Sequence, residues 1–113
     1  MGYYRRYFED EDMTRREKRC LFTRNLAKLI EFIFQQGYEA AIDRDGLKHM
    51  KNSLHYDGLA KDIILYKDGN YLVVSSEYHF AGEYWKSLHA LNRWGGDFPG
   101  DGNHFSMEDG GRA

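Results

Sequence analysis

Apolar residues recur at spacings of three and four through Phe22, Leu26, Leu29, Ile30 and Ile33. This period predicts one helix with a single buried stripe. Thr14, followed three residues later by Glu17, has the spacing of a capping box, so the helix is expected to begin there. Gly37 stands where a left-handed terminator belongs. Tyr38 to Ile42 is short and apolar, and Asp43 and the Asp45-Gly46 pair bound it, which suits a strand leaving the helix. Asp62-Ile63-Ile64-Leu65-Tyr66 reads as a second strand. Lys67-Asp68-Gly69-Asn70 then predicts a hairpin turn into a strand over Tyr71-Leu72-Val73-Val74. Helical spacing returns at Ala81, Tyr84, Trp85, Leu88 and Leu91. The stretch from Trp94 to Gly102 breaks all periodicity and reads as a glycine-rich loop. Asn103 to Ser106 is expected to form a last short strand before a Gly110-Gly111 tail.

The expected fold class is α+β: a small antiparallel sheet with at least two helices covering one face. With 113 residues and 42% hydrophobic content, the chain has material for one compact core. Residues 1–19 are expected to be an N-terminal arm and helix start, and residues 20–113 the functional domain. Tyr3, Tyr4, Arg5, Arg6 and Tyr7 could stack on and pair with a nucleic acid, but the acidic run Glu9 to Asp12 follows at once, which favours a plain terminal arm. The formal net charge of -2 gives no overall pull toward nucleic acid or anionic lipid. A single cysteine, Cys20, rules out an internal disulfide or a cysteine-only zinc cluster, and it is expected to be a small packing residue. No apolar run approaches the roughly 20 residues of a membrane span, and the N-terminal residues lack signal-peptide character, so synthesis in the cytoplasm without stable membrane association is expected.

The segment from Ser53 to Asp62 carries the candidate chemistry. His55 and Asp62 lie seven apart, with Gly58 and Ala60 between them at the entrance to a strand. A tight turn would let both side chains reach one ion. Gly58 tolerates the positive φ such a turn requires, and Ala60 would keep bulk away. One imidazole and one carboxylate do not complete a zinc site, and His104, after the glycine loop, is the best third donor. Three protein ligands leave a fourth position for water, the arrangement of a catalytic zinc, and Asp101 would then accept and return a proton. Asp97 competes with Asp101 for that role. Asp57 is expected to be a solvated loop charge. His49, His79 and His89 are ordinary polar residues on this reading. Trp85, Tyr84 and Leu88 are core residues, and Trp94 is open between packing and groove wall.

Ser53 to Asp62 matches the SxHxxGxAxD pattern of the zinc peptidases that include D-Ala-D-Ala carboxypeptidases, vancomycin-resistance dipeptidases and phage L-alanyl-D-glutamate endolysins. Asp101-Gly102-Asn103-His104 resembles their acid-x-x-His segment in its endolysin form. Phe22 to Ile30, Gly82 to Leu88 and Trp94 to Phe98 resemble the first helix, the later helix and the preceding loop of that branch. The resemblance covers about residues 20 to 106. It implies a hedgehog/DD-peptidase-like fold, one Zn2+ per chain held by His55, Asp62 and His104, and Asp101 as the general base. It further implies that Ser53 binds substrate by a hydrogen bond and that Arg44 is the counterpart of a substrate-contacting Arg. The implied activity is hydrolysis of a peptidoglycan stem-peptide bond, L-Ala-D-Glu in the endolysin branch. A D-Ala-D-Ala carboxypeptidase or dipeptidase, or a zinc-binding module without turnover, is the alternative. A monomer made in the host cytoplasm and reaching the cell wall with help from a holin is the expectation that accompanies the endolysin reading.

Overall fold

A computed structural model describes residues 13–43, 53–98 and 100–113. Arg44, His49 and the arm at residues 1–12 lie outside the described residues. The described residues fold as a small α+β unit with an antiparallel sheet and two α-helices. Helix α1 (Arg15–Gln35) starts as its sequence predicts: the Thr14 hydroxyl accepts from the Glu17 amide at 3.1 Å, and the Glu17 carboxylate accepts from the Thr14 amide at 2.9 Å. Two of the four orphan amides of the first turn are thereby satisfied. Its buried stripe is Lys18, Phe22, Asn25, Leu29 and Ile33, with Leu26 and Ile30 half-buried beside it. The helix ends on Gly37 at φ +87, where the amides of Gly37 and Tyr38 bond the carbonyls of Phe34 and Ile33. These two bonds are the paired closure of a Schellman motif, and the positive φ is one that L side chains adopt only at a cost.

Strand β1 (Glu39–Ile42) then runs antiparallel to β2 (Ala60–Lys67), with Glu39 opposite Tyr66 and Ile42 opposite Ile63. The first half of β2 also pairs with β5 (His104–Met107), which in turn pairs with β4 (Asn92–Trp94), giving the order β1-β2-β5-β4. The far end of β2 turns through Asp68-Gly69 into β3, which is only Asn70–Tyr71. The strand expected over Tyr71 to Val74 thus starts one residue early, at Asn70, and stops after Tyr71. Leu72 still bonds Leu65, but its carbonyl is taken by the Tyr78 hydroxyl at 2.8 Å, and a 3-10 turn begins at Ser75. Val73 and Val74 are left exposed.

Helix α2 (His79–Leu88) is shorter than the apolar spacing suggested, since Leu91 falls beyond it. Its Trp85 is fully buried and touches Phe22 edge-on at 5.4 Å and Phe105 at 6.1 Å. Burying an indole of this size is worth about 4–6 kcal/mol of transfer free energy. Its N–H is shared between the carbonyls of Arg93 and Ser106, so one side chain pins α2 to both β4 and β5. Tyr84 stacks on Phe32 at 4.0 Å, joining the two helices.

Three further expectations are corrected. Cys20 is exposed rather than packed, because it lies on the polar face of α1. Asp57 is not a solvated charge: it pairs with Arg112 at 2.8 Å and Arg15 at 3.4 Å. The segment after β5 is tied back by an Asp109–Arg112 bridge instead of trailing as a tail. Within the glycine-rich stretch, Trp94 ends β4, and Gly95–Asp97 forms a 3-10 turn. Trp94 is packing: it is 4% exposed, its ring lies against Gly82 and Gly96, and its N–H bonds the Gly102 carbonyl at 2.6 Å. No helix among the described residues is long and apolar enough to cross a membrane.

Candidate metal centre

Asp62 and His104 face each other across β2 and β5. The neighbouring Ile63 amide bonds the Asn103 carbonyl at 2.8 Å, while the carbonyl of Asp62 turns the other way to accept from Asp43 on the β1 side. The 62/104 pair is therefore a non-hydrogen-bonded pair, the kind in which opposed side chains stand closest. Ala60 and Ser106 form the next pair on the same face, both fully buried. The alanine thus fills space beside Asp62 with the least bulk.

His55 comes from a 3-10 turn, Leu54–Asp57, directly ahead of β2. The Ser53 hydroxyl caps this turn by accepting from the His55 amide at 3.2 Å. Gly58 closes it at φ +72, a conformation suited to glycine, and the Leu59 amide bonds back to the Leu54 carbonyl at 3.0 Å. Ser53 thus shapes the approach of His55 in the folded chain, whatever else its hydroxyl contacts.

The three side chains meet. His55 Nε2 lies 3.3 Å from His104 Nδ1 and 3.5 Å from Asp62 Oδ1, and His104 Nδ1 lies 3.4 Å from the same carboxylate oxygen. The side chains of His55, His104 and Asp62 are 10%, 12% and 23% exposed, so the cluster is largely desolvated but not sealed from solvent. Three electron-rich atoms this close repel unless a proton or a metal cation lies between them. The group His55, Asp62 and His104 is close enough to hold a metal ion.

Asp101 is exposed and lies outside this donor group. Its carbonyl accepts from the His104 amide at 3.1 Å, so the turn from 101 to 104 sets the two residues on one loop. Its carboxylate has no ion-pair partner among the described residues. Asp97, in contrast, is held by Lys86 at 2.8 Å, and that pairing and the one with Glu83 raise the lysine pKa. The two loop carboxylates thus differ in their surroundings: Asp97 shares Lys86 with Glu83, and Asp101 has no ion pair among the described residues.

Sequence reasoning missed two supports of this centre. Gly95 was legible only as part of a loop, yet a Cβ there would lie 2.1 Å from the Asp101 carbonyl oxygen and 2.8 Å from the His104 Cβ. The Gly-Gly pair was the available signal, since such pairs mark close backbone approach as well as flexibility. The ion pairs of Asp57 join residues far apart in the chain and leave no local pattern. No protein-family model matches the chain, and no curated protein matches it.

Proposed function

We propose that this chain is a zinc-dependent peptidoglycan peptidase that hydrolyses a stem-peptide bond, L-Ala-D-Glu, in the manner of a phage endolysin. The observation that carries the reading is the convergence of His55, Asp62 and His104, the residues of the SxHxxGxAxD and acid-x-x-His segments, at mutual distances of 3.3, 3.4 and 3.5 Å. Zinc bonds of about 2.0–2.1 Å in a tetrahedron give ligand-to-ligand edges of about 3.3–3.4 Å. Two imidazoles and a carboxylate suit zinc and also serve non-haem iron. The resemblance of the segments that carry the donors is what selects zinc.

A zinc ion at these residues would supply Lewis acidity toward a carbonyl and would lower the pKa of a bound water toward about 7. The chain's own residues do the rest. His55, Asp62 and His104 would hold the cation. Asp101, on the loop leading to His104 and without an ion-pair partner among the described residues, takes a proton from the attacking water and returns it to the leaving amine. Asp97, paired with Lys86 at 2.8 Å, is the competitor for that task. Ser53 and Arg44 remain proposed substrate contacts, carried by the resemblance alone.

The test is digestion of purified peptidoglycan by the zinc-loaded chain, read by mass spectrometry. New N-terminal glutamate supports the endopeptidase, whereas released free D-alanine moves the assignment to a carboxypeptidase or dipeptidase. Zinc binding with no cleavage at any pH refutes catalysis and leaves a binding module. In the same assay, Asp101→Asn retains zinc and loses about 100-fold or more in rate, the usual contribution of a general base. Full activity in that variant removes Asp101 from the mechanism.

A further inference from the structure

The turn that follows β5 grips the turn that presents His55. Asp57, two residues beyond His55 on the same 3-10 turn, accepts from Arg112 Nη1 at 2.8 Å. Arg112 Nη2 also reaches Asp109 at 2.9 Å, and the backbones of Asp109 and Arg112 bond each other in both directions at 3.1 Å. Asp109 is in turn held from α1 by Arg15 at 2.8 Å and by Lys18 at 2.9 Å. Arg15 also reaches Asp57 at 3.4 Å, which closes a ring of charges around Asp57 and Asp109. The carboxylates and Lys18 are the covered members of the ring, with Lys18, Asp109 and Asp57 7%, 15% and 24% exposed, while Arg112 and Arg15 reach in from the surface at 31% and 54%.

The connectivity gives this ring a purpose. Strand β5 carries His104 at its start and runs into Asp109 and Arg112 a few residues later. One continuous stretch therefore presents His104 and also clamps the turn bearing His55, while the Met107 amide bonds the Leu59 carbonyl at 2.9 Å between them. The spacing of two donors from distant parts of the chain is set at both ends. We infer that Arg112 and Asp109 are positioning residues of the metal centre, acting through Asp57 to hold His55 at binding distance from His104. The inference rests on reading His55, Asp62 and His104 as a metal site, though not on which bond is cleaved or whether any is.

Titration of the full chain with Co2+, followed by visible absorption and by competition with a chelator, tests it. Arg112→Ala is expected to weaken Co2+ binding by about two- to fivefold, less than the tenfold or more that follows loss of a group bonded directly to a metal ligand. Its absorption band changes in intensity because the coordination geometry changes. Arg112→Lys restores part of the affinity through its single charge. High salt brings the wild type toward the alanine variant, since it screens the ion pairs. If Arg112→Ala fails to fold, Asp57→Asn carries the same expectation from the opposite partner. A folded Arg112→Ala or Asp57→Asn variant with wild-type Co2+ affinity and spectrum overturns the positioning role while leaving the metal site standing. A wild-type chain that binds neither Co2+ nor Zn2+ overturns both.

Discussion

Gly95→Ala places one methyl group beneath the loop that delivers His104. Gly95 is buried and its backbone is not left-handed, so the cost comes from space alone. The added Cβ would sit 2.1 Å from the Asp101 carbonyl oxygen and 2.8 Å from the His104 Cβ, and backbone must retreat by roughly 1 Å to relieve the first contact. Overpacking of this kind costs about 1–3 kcal/mol, and weakening the Asp101–His104 hydrogen bond adds about 0.5–1.5 kcal/mol. A total near 3 kcal/mol lowers the melting temperature of a domain this size by about 10 °C. The more specific consequence concerns His104, because metal-ligand distances tolerate shifts of only about 0.2 Å. Calorimetric Zn2+ titration should therefore show affinity falling more than tenfold while the variant is still folded. Gly100→Ala is the control: its φ of +73 makes a side chain strained, but nothing lies within 4 Å of the new Cβ. It should lose about 1–2 kcal/mol of stability and no metal affinity. A Gly95→Ala protein with wild-type melting and wild-type Zn2+ binding would refute the view that this contact sets the position of His104.

Two other expectations concern parts of the fold farther from His104. Tyr78→Phe orphans the buried Leu65 amide, which donates to the hydroxyl at 3.1 Å, and frees the Leu72 carbonyl; urea unfolding should show a loss of about 1–3 kcal/mol, and a change within error would mean the hydroxyl bridges nothing of consequence. Asp109→Asn should be less stable than wild type near neutrality, with the gap closing in acid. The hydrogen bond from Lys18, and then that from Arg15, hold the Asp109 carboxyl below its ordinary value of 3.8. A depressed folded pKa means the stabilisation is present above the ordinary carboxylate pKa and is lost as pH falls through the lower folded value. Denaturant melts across that window check the sign, and a gap that widens in acid would contradict it.

The helix α1 was legible because its signals are local: a Thr14–Glu17 box, an apolar stripe and a Gly37 terminator all lie within two dozen residues. The convergence of His55, Asp62 and His104 was legible because the pattern around them pairs residue type with turn chemistry, and the structure brings these three side chains together. The hairpin was only half legible. Leu72, Val73 and Val74 have strand composition, but Tyr78, six residues on from Leu72, captures the Leu72 carbonyl and redirects the chain. Cys20, expected to pack, instead faces solvent because its angular position on the helix shares the polar face with Arg16 and Thr23 rather than the stripe of Lys18, Phe22 and Asn25. Asp57 was misread for a different reason: its partner Arg112 is distant in sequence, and charge pairing at that separation has no periodicity to betray it.

The opposition of Asp62 and His104 across two strands has a consequence for folding fidelity. Side chains alternate faces along a strand, so sliding β5 by a single residue against β2 would send the imidazole to the far side of the sheet. An ion captured jointly by residues 55, 62 and 104 would then reward one alignment of the strands and no neighbouring one, acting as a proofreader of sheet assembly as well as a reagent.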